Sequence, residues 1–124
     1  MGRYSKMFSM AINLFGPADL QSFIDYAPTK WKNFLNISKS RISKLVLKND
    51  PTEYANKINQ PTILVYGKND SVTNYRSLEN FSEKFTNKKN LFLKPMSDIG
   101  HGDLTTSELK KLLDELNFII KELQ

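Results

Sequence analysis

Pro61-Thr62-Ile63-Leu64-Val65-Tyr66-Gly67 is a continuous apolar run, rich in β-branched residues and bounded by proline and glycine. A strand with one wet face would alternate apolar and polar residues. This one does not, so it reads as a strand buried on both faces, the pattern of a parallel sheet. Lys68-Asn69-Asp70-Ser71-Val72-Thr73-Asn74 follows as a polar loop, and Tyr75 to Phe85 then carries Leu78, Phe81 and Phe85 at amphipathic-helix spacing. Beyond the turn at Asn87-Lys88-Lys89-Asn90, Leu91-Phe92-Leu93-Lys94-Pro95-Met96 reads as a short strand ending near its proline. Ser97 to Asp103 is a second polar loop. Thr106 or Ser107 can cap a last helix, whose Leu109, Leu112, Leu113, Leu116, Ile119, Ile120 and Leu123 form one broad apolar stripe for the sheet.

Strand, loop and helix thus occur twice in succession, which argues for parallel strands joined by right-handed crossovers. Toward the N-terminus, Met7 to Phe15 reads as another buried strand, stopped by Gly16-Pro17. Asp19 to Tyr26 and Thr29 to Asn49 read as helices, and Glu53 to Ile58 as a short helix after the Asp50-Pro51 break. The expected fold is α/β: a single unit over residues 1–124, with three parallel strands in sequential order and helices on both faces. In such a sheet nothing obvious in the chain shields the outer side of the Met7–Leu14 strand, an exposure that natural sheets avoid.

Composition narrows the function classes. The chain has 124 residues, 40% hydrophobic and 25% charged, within the ordinary globular range. Its net charge of +5 comes from lysines spread along the sequence. The denser patches, Lys39/Arg41/Lys44/Lys48 and Lys84/Lys88/Lys89, sit on helix faces and loops, with no basic run of five and no interleaved aromatic signature. That pattern argues against nucleic acid. No apolar run approaches the roughly 20 residues that cross a bilayer, and the opening residues lack a signal peptide's apolar core. With no cysteine and one histidine, a disulfide framework, a thiolate metal site and a two-histidine zinc motif are all ruled out. The expectation is a cytoplasmic protein without metal, cofactor, membrane or nucleic-acid partner.

In open parallel sheets the working residues lie on loops past the carboxyl ends of strands. Two loops qualify here. Asp70 follows the Ile63–Gly67 strand, and His101 sits between Gly100 and Gly102 after the Leu91–Met96 strand. One helix and one strand separate them, a crossover that returns the chain to the same edge of the sheet. A carboxylate that holds His Nδ1–H fixes the tautomer and stabilises the imidazolium formed in general-base catalysis. Asp70 and His101 are therefore the candidate catalytic residues, the orienting half of a Ser-His-Asp triad in the chain order of the α/β-hydrolases. Asp98 and Asp103 compete as partners of His101. Tyr26, Trp31 and Phe34 are helix-spaced aromatics, a pattern that more often forms core or interface than pocket lining.

The segment from Asp50 to Thr73, DPTEYANKINQPTILVYGKNDSVT, followed by Gly100-His101-Gly102, resembles the C-terminal part of a prolyl-oligopeptidase-type α/β-hydrolase. The likeness lies in a Y-A-x-K-I-x-x-P approach to the strand before the triad aspartate, a turn carrying it that reads G-x-x-D-x-V here, and a G-H-G histidine loop. Phe15-Gly16-Pro17-Ala18-Asp19-Leu20 resembles the loop after the preceding strand. The resemblance runs from about Arg3 to the end of the chain, and implies hydrolysis of peptide or ester bonds with Asp70 and His101 in the triad.

The same comparison marks what the sequence lacks. The nucleophile of that family sits on a G-x-S-x-G elbow. None of the five glycines here, Gly2, Gly16, Gly67, Gly100 and Gly102, flanks a serine in that pattern. Ser71 and Ser97 lie near the two loops but on no elbow. The resemblance therefore implies a C-terminal fragment that is inactive alone and needs a complementary chain bearing the serine. A second expectation is a non-catalytic module that pairs through its bare strand edge, with a partner or with itself.

Overall fold

Every residue of Thr62–Gly67 is buried. The computed structural model describes residues 7–26, 44 and 48–123. In chain order they form β1 (Ala11–Leu14), α1 (Leu20–Tyr26), a 3-10 turn (Pro51–Lys57), β2 (Thr62–Gly67), α2 (Arg76–Lys84), a 3-10 turn (Lys88–Asn90), β3 (Leu91–Met96) and α3 (Thr106–Glu122). The three strands make one sheet in the order β1-β2-β3. Both pairings are parallel, with Ile12 beside Ile63 and Leu64 beside Leu93. The expected α/β architecture is the observed one.

The central strand divides its side chains between two cores because successive residues point to opposite faces. Leu64 and Tyr66 join Ala18, Ala55, Ile58, Leu78, Phe81 and Phe85 on the side of α2. Ile63 and Val65 join Phe15, Ile99, Leu112 and Leu116 on the side of α3. This two-sided burial is the reason β2 carries no polar alternation.

The structure departs from the sequence reading in several places, among them the segment read as a helix over Glu53 to Ile58, which is a 3-10 turn over Pro51–Lys57. The first strand begins at Ala11, not Met7, and Met7 and Phe8 are exposed. Ala11 N–H donates to the Pro61 carbonyl at 2.9 Å, and Pro61 has no N–H with which to continue the ladder backward. The cap of α3 is Thr105, not Thr106 or Ser107. Its side chain accepts from Glu108 N–H while the Glu108 carboxylate accepts from Thr105 N–H, a reciprocal capping box. The apolar stripe of α3 is also only partly used. Leu112 and Leu116 are buried with Ile63 and Val65, whereas Leu109 and Leu113 are 44% and 48% exposed, since among the described residues only the helix face that meets β2 is covered.

The loop from β1 into α1 is knitted by polar groups. Ser77 Oγ accepts from Ala18 N–H and Asp19 N–H at 3.0 and 3.2 Å. The buried Asp50 carboxylate accepts from Leu20 N–H and Gln21 N–H on one oxygen and from Thr52 on the other. One side chain thereby caps both α1 and the first 3-10 turn. The helix read over Thr29 to Asn49, with Trp31 and Phe34, lies outside the described residues apart from Lys44, Lys48 and Asn49. Tyr26 is half exposed, and its hydroxyl accepts from Arg76 at 3.1 Å. Among the described residues no helix is long and apolar enough to cross a membrane.

Candidate active site

The loops after β2 and β3 are held together by their backbones before any side chain is considered. Lys68 N–H donates to the Met96 carbonyl at 3.0 Å, and Asn69 N–H to the Ile99 carbonyl at 3.3 Å. These bonds place the Asp70 turn directly beside the Gly100-His101-Gly102 turn.

Asp70 is fixed from its own loop. Its Oδ1 accepts from Val72 N–H and Thr73 N–H, each at 2.7 Å, which leaves Oδ2 directed across the gap. There it meets His101 Nδ1 at 2.9 Å. The Asp70 side chain is 2% exposed and the His101 side chain 44%. The carboxylate is thus shielded and fully engaged while the imidazole reaches toward solvent. In neutral His101 this contact requires Nδ1 to carry the proton, because an ionised carboxylate only accepts. Nε2 is then the basic nitrogen, and among the described residues it has no hydrogen-bond partner.

The structure therefore brings the two sequence-selected residues into contact and separates them from their competitors. Neither Asp98 nor Asp103 bonds the imidazole, and neither do Ser71 and Ser97. Asp103 instead lies against Gly100, where a Cβ would sit 2.7 Å from its carboxylate oxygen. Asp19, on the loop after β1, serves its own helix. Burial pushes its carboxyl group up, but bonds from Ser22 N–H, Asn80, the Ser22 hydroxyl and Gln21 N–H outweigh this and hold it below the ordinary value.

Sequence reasoning missed the turn bonds that orient Asp70, although Asn69-Asp70-Ser71 is the composition from which such side-chain-to-backbone turns are built. It also missed Thr73, whose buried hydroxyl has no hydrogen-bond partner among the described residues. Nothing in a sequence flags an unpartnered hydroxyl. Among the described residues no cluster of three or more His, Asp or Glu could hold a metal ion.

Three parallel strands in one sheet with helices on both faces make an α/β-hydrolase-like fold, and solved structures share it. A peptidase from Mycobacterium tuberculosis that hydrolyses puromycin superposes with a TM-score of 0.79 at 23% identity, over 97% of this chain and 19% of that one. The acylaminoacyl peptidase of Pyrococcus horikoshii gives 0.75 at 16% identity, over 97% of this chain and 21% of that one. The Pyrococcus furiosus esterase Pf2001 gives 0.68 at 16% identity, over 98% of this chain and 47% of that one. Two of these neighbours are peptidases and one is an esterase. The chain spans about half the length of the esterase and about a fifth of each peptidase. No family model matches the chain, and no curated protein matches it in sequence.

Proposed function

We propose that this chain corresponds to the C-terminal portion of a prolyl-oligopeptidase-like serine hydrolase and supplies Asp70 and His101 to its triad. The observation that carries the reading is the 2.9 Å contact between Asp70 Oδ2 and His101 Nδ1, made by a carboxylate whose other oxygen is already saturated. In this role His101 Nε2 takes the proton of a serine hydroxyl as the oxygen attacks the carbonyl carbon of a peptide or ester. It returns that proton to the leaving amine or alcohol, and water then releases the acyl group by the same route. Asp70 stays ionised and stabilises the imidazolium.

The 124 residues contain no G-x-S-x-G, so the reading assigns the serine and the oxyanion donors to a complementary segment. One oxyanion donor is worth about 10²–10³ in rate, and the chain alone is accordingly inactive. A cytoplasmic location belongs to the same reading. A serine-reactive fluorophosphonate probe tests it. The probe should leave the chain alone unlabelled, label a complementary chain bearing the elbow when the two are mixed, and lose that labelling with His101→Ala. Labelling indifferent to His101 would overturn the proposal.

A second reading is a non-catalytic module that pairs through β1. Ile12 and Leu14 on that edge strand are 43% and 51% exposed, which supports it. Sedimentation separates the two readings, because the module associates without any elbow-bearing chain.

A further inference from the structure

Among the described residues Phe15 is the only non-glycine with a positive φ, at 56°. That conformation is unfavourable for a bulky side chain, and where a fold sustains it the neighbourhood is often functional. The strand register shows what it achieves here. Pairing runs from Ala11–Thr62 to Leu14–Val65, so one more regular residue would set Phe15 beside Tyr66 and send its ring toward α2. Phe15 instead packs on the α3 side, with Ile63, Val65 and Ile99. Its N–H still donates to the Val65 carbonyl at 2.9 Å, so the chain turns only after that last rung. Asn13 Oδ1 fixes the turn by accepting from Gly16 N–H at 2.8 Å. The ring ends under the histidine loop, where Phe15 Cδ2 lies 3.9 Å from the position that a Cβ on Gly102 would occupy.

We propose that Phe15 is a positioning residue for His101: its ring, turned across the sheet by the left-handed backbone, supports the loop from Ile99 to Gly102 and keeps His101 Nδ1 on Asp70. The proposal rests on the triad reading above and deepens it, since a residue on β1 then sets the geometry between the loops after β2 and β3.

With one histidine in the chain, ¹⁵N spectra of the imidazole report on His101 without interference. In the full 124-residue chain at a pH where the ring is neutral, the Nδ1–H tautomer should dominate. Phe15→Leu keeps apolar bulk in the cluster but shortens the reach to Gly102, and should lower the ratio of Nδ1–H to Nε2–H by about tenfold, the scale of one charge-assisted hydrogen bond. Phe15→Ala should lower it at least as far. An unchanged ratio in folded Phe15→Leu overturns the proposal and leaves the Asp70–His101 reading standing. A wild-type ring lacking the Nδ1–H tautomer overturns both. If the variants do not fold, nuclear Overhauser contacts between the Phe15 ring and the Gly102 α-protons of the wild type decide: their presence supports the proposal, and their absence overturns it.

Discussion

A Cβ placed on Gly67 would lie 2.2 Å from the Ile99 carbonyl oxygen and 2.5 Å from that of Gly100. The last residue of β2 thus has no side chain because the backbone of the histidine loop occupies that space. Bare backbone at this point is what lets the Asp70 and His101 loops close on one another.

Gly67→Ala is accordingly expected to push the Ile99–Gly100 segment away, since backbone carbonyls cannot swing aside as a flexible side chain would. The cost should be about 1–3 kcal/mol in urea unfolding, with loss of the His101 Nδ1–H signal. A variant of wild-type stability with an intact signal would show that the loop has slack which this packing denies.

Asp70→Asn separates charge from shape. Oδ1 already accepts two backbone N–H groups, so the carboxamide must keep its oxygen there and turn its NH₂ toward the imidazole. His101 Nδ1 then has to accept, and the neutral ring should switch to the Nε2–H tautomer. If the chain supplies a triad as proposed, the complemented enzyme should lose about 10⁴-fold in kcat, the scale set by holding the histidine in the wrong tautomer. Spectra and rates taken on the same variant check both.

Thr73→Val replaces a buried hydroxyl without a hydrogen-bond partner among the described residues with a methyl group of the same shape. The backbone N–H that donates to Asp70 is untouched. Unfolding stability should stay level or rise by about 1 kcal/mol. A loss of that size would reveal a bonded hydroxyl.

Asp19 sets an acid limit. Its folded carboxyl lies below the ordinary value of 3.8 because its hydrogen bonds outweigh burial. A depressed carboxyl contributes stability that is fully present above the unfolded pKa and is lost as pH falls through the lower folded one. Wild type should therefore exceed Asp19→Asn in urea midpoint near pH 6, and the gap should narrow below about pH 4. A gap independent of pH would assign the difference to shape alone.

On the open edge, Leu14→Lys places a charge on a residue that is already half exposed and should change unfolding stability by about 0.5 kcal/mol or less. If β1 is an association edge, the same change should lower any self-association or partner binding measured by sedimentation.

Much was legible in the sequence because it was local. The unbroken apolar run at Ile63–Tyr66 announced a strand buried on both faces, and with two successive strand–helix units it implied the parallel order. The positions of Asp70 and His101 just past strand ends followed from the same pattern. The capping box at Thr105 and Glu108 was also written locally, in residues adjacent to the ones chosen. What tertiary structure alone decided depends on pieces of chain distant in sequence. Pro61 shortens β1 because of the ladder it would have to extend. Gly67 is constrained by carbonyls more than thirty positions away. The ring of Phe15 crosses to the other core against the period-two rule, because a single left-handed residue after the last rung reverses its face. Period and composition report the face a residue would take in a regular element; only the packed neighbours reveal where the chain leaves that regularity.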